Sequence, residues 1–409
     1  MNKNVLILTQ WPYRDALIQA YTLPYVKIIR QNISSESKII LVTFENSDAK
    51  IFAEELSQDS FELEKIGVKL KKFRYPGSSI LLFLKSIPII INLIQSIRRE
   101  KIDIIHAWCT PAGSLGYLLS ILTGRKLIID SFEPHAEAMV ENLTWKKNQL
   151  KYRILSYFEK KLTLHAHVII SATEGMRNFI QKKYQFTIKN FLVKPACVDL
   201  KLFNTNKRKD SELLKRYHLE NKIVCVYAGK FNGIYLSSEI FDFLKVAENH
   251  WGNRFTALLL TNHNRQEIKT WATNAGLSEK SYNCLFVSHH EIPLYMGLGD
   301  FAITPVKPIP TKRFCSPIKD GEYWGLGLPV VITKDISDDS DIIEDNNIGA
   351  VLRSLTTSEY KNAIVKIEHL IADPQNTASK IHAIAEKYRS YTIAEEIYHS
   401  IYKQNNYNL

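Results

Sequence analysis

The stretch Ser316-Pro317-Ile318-Lys319-Asp320-Gly321-Glu322-Tyr323-Trp324-Gly325-Leu326-Gly327-Leu328-Pro329-Val330-Val331 sets the reading of the chain. A polar loop carrying Lys319 and Glu322 runs into a short helix, and Gly327-Leu328-Pro329 stops that helix and opens an apolar strand at 330–332. A helix amino end presents unpaired N–H groups and a positive dipole, which suit a diphosphate. Lys319 adds cationic charge, and Glu322 is able to accept hydrogen bonds from a ribose diol. The same spacing fits a plainer arrangement, with Glu322 offsetting the dipole, Lys319 solvated and Gly327-Leu328-Pro329 an ordinary terminator. Spacing leaves both open.

Outward from this stretch, short β-rich runs alternate with helix-length segments. One series lies at 5–9, 39–44, 68–73, 102–107, 127–130 and 168–171. A second follows a charged, polar stretch at 204–212 and lies at 223–229, 257–261, 285–287, 301–304, 330–333 and 350–352. Such alternation predicts βαβ units and parallel sheets. Its double occurrence predicts an α/β protein of two Rossmann-like, doubly wound domains facing a central cleft, where loops at the strand carboxyl ends gather ligands. The expected limits are 1–204, 205–385, and a C-terminal helix over 386–409 that packs on the second domain or crosses back to the first. Its candidate core positions, with those just before it, are Ile381, Ile384, Tyr388, Ile393, Ile397 and Ile401.

With 409 residues and 45% hydrophobic content, the chain supports two cores and is too apolar to be disordered. Its net charge of +11 resides in residues 1–205, with 29 basic and 18 acidic residues, whereas the remainder balances at 24 and 24. A basic half attracts phosphates or anionic lipid. Dispersed lysines without zinc-finger spacing or an aromatic RNA-binding motif argue against a nucleic-acid partner. Five scattered cysteines without a CxxC pair indicate a reducing, cytoplasmic setting. The run at 5–8 is too short for a secretory signal, and the oily stretch 79–97 is interrupted by Lys85, Pro88, Asn92 and Gln95, short of the ~20 apolar residues that span a bilayer. The expectation is a soluble protein or one peripheral at the inner face of a membrane. The apolar run 80–91 beside Arg98 and Arg99 reads either as a patch for an anionic membrane surface or as a buried helix with a charged end.

The Ser-Pro-x-Lys-x-x-Glu-Tyr loop at 316–323, followed by Gly-x-Pro-Val-Val at 327–331, resembles the donor-binding signature of GT-B glycosyltransferases of the family 4-like branch. In the same order as that family, the chain carries Asp103-Ile104-Ile105-His106-Ala107, Ser171-Ala172-Thr173-Glu174-Gly175-Met176, Val198-Asp199-Leu200-Lys201-Leu202-Phe203 and Gly299-Asp300-Phe301-Ala302-Ile303-Thr304-Pro305. The resemblance implies transfer of a sugar from a nucleotide-diphosphate sugar to an acceptor hydroxyl, with retention of anomeric configuration. It implies a glycan acceptor in bacterial surface glycan or glycoconjugate synthesis, and the apolar run 80–91 beside basic residues adds a lipid-linked acceptor as an expectation. The resemblance also implies Glu322 as the ribose carboxylate, Ser316, Pro317 and Lys319 as the diphosphate loop, and Lys230, after the strand at 223–229, as a further phosphate contact. Three departures stand out. Phe314 occupies the place of a second family glutamate, the loop 231–236 lacks a later lysine, and Pro195-Ala196-Cys197 replaces Pro-Asn-Gly.

On the acceptor side, the apolar run 127–130 ends abruptly in Ser131-Phe132-Glu133-Pro134-His135. Residues at strand ends of α/β domains commonly face ligands. The catalytic candidates are His135 first, Glu133 as base or hydroxyl-binding carboxylate, and Asp130 as a third group or a turn cap. His106 is expected to pack. No metal or other cofactor is expected. Adjacent His289 and His290 point apart, Asp339-Ser340-Asp341 reads as part of a solvated acidic loop at 335–345, and Lys230, Lys319 and the helix end neutralise the leaving diphosphate. Competing functions on the same architecture are a sugar-nucleotide epimerase or hydrolase, and a donor-binding subunit without turnover.

Overall fold

The computed structural model describes residues 3–15, 17–45, 59–61, 63–75, 82–288, 290–404 and 407. The chain divides into two compact units, Met1–Lys194 with Thr392–Leu409, and Pro195–Tyr391. The first holds a seven-stranded sheet of β1 (Val5–Leu8), β2 (Ile39–Glu45), β3 (Val68–Arg74), β4 (Ile104–Trp108), β5 (Lys126–Phe132), β6 (Val168–Ser171) and β7 (Phe191–Val193), in the order β3-β2-β1-β4-β5-β6-β7. The second holds β8 (Ile223–Ala228), β9 (Phe255–Leu260), β10 (Tyr282–Leu285), β11 (Phe301–Thr304), β12 (Val330–Thr333) and β13 (Gly349–Leu352), in the order β10-β9-β8-β11-β12-β13. The strand pairs are parallel. Runs such as Val5-Leu6-Ile7-Leu8 are buried throughout, as a parallel strand covered by helices on both faces requires.

Both sheets therefore have the doubly wound, Rossmann-like order that the alternation predicts. The order reverses beside β1 and beside β8, so each unit gathers the carboxyl ends of its central strands at a switch point.

Three local expectations are corrected here. The strand expected at 285–287 is Tyr282–Leu285, and Phe286 beyond it is exposed. The C-terminal segment forms two helices, Pro374–Arg389 and Tyr391–Tyr402, interrupted by extended Ser390. In the second of these the buried residues are Ala394, Tyr398, Ile401 and Tyr402, whereas Ile393 and Ile397 are half-buried. Residues 335–345 are not a solvated acidic loop: Asp339–Asn346 is a helix whose first residue is buried. In the charged stretch at 204–212, Arg208 and Lys209 are anchored to the fold of the second unit. Arg208 donates to the carbonyls of Gly327 and Gly299, and Lys209 pairs with Asp300 at 2.8 Å.

Candidate functional site

In the second unit the site grows from the helix Ile318–Gly325. Tyr323 is fully buried, and its hydroxyl accepts a hydrogen bond from the Ala228 N–H at the end of β8 (2.9 Å), which fixes the helix beside that strand end. Glycine permits the close approach on the other flank. A Cβ at Gly325 would lie 2.6 Å from the Phe203 carbonyl oxygen, and one at Gly321 would lie 2.9 Å from Val198 Cγ1. The 198–203 segment thus packs directly on the helix backbone.

Pro317 occupies the N-cap position, and no side chain caps the helix. Lys319 and Glu322 lie inside the helix rather than in the loop before it, which corrects the sequence expectation. They are one turn apart, with Lys319 Nζ 2.7 Å from Glu322 Oε2. Glu322 is only 4% exposed, while Lys319 is partly open. Ser316 Oγ accepts from the Ala196 N–H (3.0 Å) and from the guanidinium of Arg389. Lys230 is exposed on the loop after β8, and Phe314 ends the short turn Pro310–Phe314.

Beneath the loop, Arg389 is buried and donates also to the Ala196 carbonyl (3.2 Å) and to Asp339. Asp320, fully buried, accepts from the Thr304 hydroxyl at the end of β11. Burial and the neighbouring Asp339 push the Asp320 carboxyl well above its ordinary range, so this carboxyl pair keeps a proton despite Arg389.

In the first unit, β5 changes register between Ile129 and Phe132, and Ser131 there has φ 52°. Cys109, immediately after the neighbouring β4, has φ 62°. Two non-glycine residues in the left-handed region at adjacent strand ends mark a strained site. Asp130 is fully buried, with Lys194 Nζ 3.1 Å from Oδ1 and the Tyr398 hydroxyl donating to Oδ2 at 2.7 Å. Burial alone would raise this carboxyl, but Lys194 and then His106 outweigh it and hold it below its usual value. His106 packs, stacked on Trp108 at 4.5 Å between ring centroids. Burial favours its neutral form, in which Nε2–H donates to Asp130 (3.3 Å) and Nδ1 accepts from the Tyr402 hydroxyl (2.7 Å).

Glu133 and His135 are brought together: His135 Nδ1 lies 3.0 Å from Glu133 Oε1, and both side chains are partly exposed. The Thr110 hydroxyl holds the Glu133 carbonyl at 2.7 Å, which anchors the loop. Sequence reasoning placed Asp130, Glu133 and His135 together but missed Lys194 and Tyr398, which give Asp130 its buried surroundings.

His290 lies beside His289, which is outside the described residues. Asp339 is bound to Arg389 and Asp341 to Arg313. Among the described residues no group of three or more His, Cys, Asp or Glu side chains is placed to hold a metal. Residues 79–81 of the oily stretch also lie outside the described residues. The helix Leu82–Arg99 buries Leu93 and Ile97 and exposes Ile87 and Ile91, and among the described residues no helix is long and apolar enough to cross a membrane.

Residues 45–202 match the model of Glycosyltransferase Family 4. No curated protein matches the chain. Among solved structures, HepE of Anabaena in complex with UDP-glucose is similar at 16% identity, with 97% of this chain and 98% of that one covered and a TM-score of 0.71. Sucrose-phosphate synthase of Thermosynechococcus elongatus is similar at 11% identity, with both chains covered in full and a TM-score of 0.72. WaaG, a glycosyltransferase involved in lipopolysaccharide biosynthesis, is similar at 12% identity, with 98% and 99% covered and a TM-score of 0.68. The two doubly wound sheets are those of the GT-B fold, and residues 45–202 are similar to Glycosyltransferase Family 4.

Proposed function

We propose that the protein moves a sugar from a nucleotide-diphosphate sugar, held by the second unit, to an acceptor hydroxyl held by the first. The burial of Glu322 carries this reading. A glutamate that merely offset the helix dipole beside a solvated lysine would remain exposed, whereas this one is enclosed, and enclosing a carboxylate is costly unless a partner repays it. Lys319 is the partner observed, and a ribose diol is a second one that a nucleotide would bring.

In this proposal the uncapped helix end, Ser316, Pro317, Lys319 and Lys230 hold the diphosphate. As the bond from sugar to phosphate breaks, negative charge passes to the leaving phosphate oxygen, where each fixed donor of this kind is worth about 2.7–4 kcal/mol of barrier. Glu133 orients His135 through Nδ1, and the pair binds the acceptor hydroxyl and takes its proton. Asp130, held ionised by Lys194, is the third candidate group. The reaction proceeds with retention and without a metal or other cofactor. The acceptor is a glycan or lipid-linked hydroxyl of a bacterial surface glycan, and the enzyme works in the cytoplasm at the inner face of the membrane.

HepE is described in complex with UDP and with UDP-glucose, which makes these two compounds the first probes. Calorimetric titration should give saturable binding that Glu322→Ala weakens at least tenfold. Unchanged affinity in that variant would remove the ribose role. Phe314, in the place of a family glutamate, favours a second reading as a donor-binding subunit. Mass spectrometry with candidate acceptors separates the two, because a subunit binds UDP-glucose and yields neither glycoside nor free sugar.

A further inference from the structure

We infer that the first unit docks on an anionic lipid bilayer through the helix Leu150–His165 and the loop that precedes it. This deepens the membrane placement proposed above by naming the surface, and it moves that surface away from the 80–91 run. The helix buries Glu159, Leu162 and Thr163. On the opposite side Leu150, Ile154, Tyr157 and Leu164 are exposed, by 64%, 48%, 57% and 42%. At 100° per residue these four positions fall within an arc of about 80°, so they form one stripe rather than scattered surface leucines.

Leu143, in the preceding loop, is 92% exposed and held at φ 60°. A leucine gains nothing from that backbone conformation or from that exposure within the monomer. The neighbouring helix Cys109–Thr123 packs against the first through Tyr117 on Phe158 (6.2 Å) and Ser120 on His165 (2.9 Å), and it exposes Ile121 and Leu122 at its end. Among the described residues, the second unit exposes only Phe286 and Val365 as large hydrophobics, so the apolar surface is concentrated in the first unit.

Charge selects the occupant. Residues 142–165 contain Lys146, Lys147, Lys151, Arg153, Lys160 and Lys161, and the single acidic residue among them, Glu159, is turned inward and buried. An apolar stripe flanked by cations with no exposed carboxylate of its own matches the headgroup region of an anionic membrane, where the aliphatic side chains enter the acyl boundary and the lysines meet phosphate.

The test is co-sedimentation of the full chain with vesicles of phosphatidylcholine alone or with about 30 mol% phosphatidylglycerol. Partition should be about tenfold or more stronger on the anionic vesicles and fall steeply with salt. Leu143→Ser combined with Leu150→Ser and Tyr157→Ser, and separately Lys146→Glu with Lys147→Glu, should each lower it about tenfold, whereas Lys366→Glu with Lys380→Glu on the second unit should leave it intact. Unchanged circular dichroism and UDP binding establish that the variants are folded. Failure to bind, equal binding to neutral vesicles, or binding that survives both first-unit variants would overturn the inference. A dimer in sedimentation velocity that the apolar variant dissolves would also overturn it, assigning the stripe to a second copy. Vesicle binding needs no donor, so loss of UDP binding with vesicle binding intact counts against the donor proposal alone.

Discussion

Asp130 in the first unit and Asp320 in the second are both fully buried near strand carboxyl ends of their sheets, yet one is ionised and the other neutral. Asp130 faces one cation, Lys194, with the His106 imidazole and the hydroxyls of Tyr398 and Ser131 also on its oxygens, and it stays ionised. Asp320 shares one cation, Arg389, with a second carboxyl, Asp339, and the pair keeps a proton. Depth is the same in both. What differs is the count of counter-charges within hydrogen-bond reach, and that count decides the protonation state. The two arrangements also hold different things: the first ties β5 to the returning C-terminal helix through Tyr398, and the second ties the donor loop through Ser316.

The sharpest way to break this contrast is Lys194→Met. It leaves Asp130 enclosed without its cation and should cost about 3–5 kcal/mol of stability in urea unfolding, with the Asp130 carboxyl rising. Because the folded carboxyl lies below its unfolded value near ~3.9, the contribution of the intact pair should be present above that pH and fade as pH falls below it. An unchanged urea midpoint for Lys194→Met would show that Lys194 does not carry Asp130.

Arg389→Met should cost somewhat less, about 2–3 kcal/mol, because the Asp320–Asp339 pair is able to take up a second proton. The variant's stability should then decline more steeply than the wild type's as pH rises from ~4 to 7, and its UDP affinity should fall as Ser316 is released. A flat pH profile would contradict the shared-proton arrangement.

Glu159 offers a third case on the first unit. Burial raises its carboxyl to about 7, with the Ala136 N–H on one oxygen. Here the folded state holds the extra proton, so the stabilisation is complete below the unfolded value near ~4.3 and is lost as pH rises through about 7. Glu159→Gln should flatten that decline and gain about 1–2 kcal/mol at pH 8 in thermal or urea unfolding. Equal slopes for the two proteins between pH 5 and 8 would place the titration elsewhere.

The smallest expected change is Asp320→Asn, within about 1 kcal/mol at pH 7, since an amide replaces a carboxyl that is already neutral and keeps an acceptor for Thr304. Asp130→Asn should cost several times more. Comparable losses at the two positions would erase the distinction between the units.

The double series of apolar runs and the contiguous Ser316–Glu322 signature were legible in the chain because each is local: a strand buried on both faces must be apolar along its length, and a helix start is written in a few consecutive residues. Lys194 with Asp130, and Arg389 with Ser316, are pairings across long sequence separations, and no local pattern announces them. The same holds for Tyr398 and Tyr402, which read as ordinary positions of a terminal helix until the fold sets them on Asp130 and His106. The helix Leu150–His165 shows the limit most clearly. Its sequence offers apolar residues on two sides, and only packing against the helix Cys109–Thr123 decided that Phe158 and Leu162 face inward while Leu150, Ile154 and Tyr157 are left to the surface. Periodicity specifies that a helix has faces; which face is covered depends on what the rest of the chain brings against it.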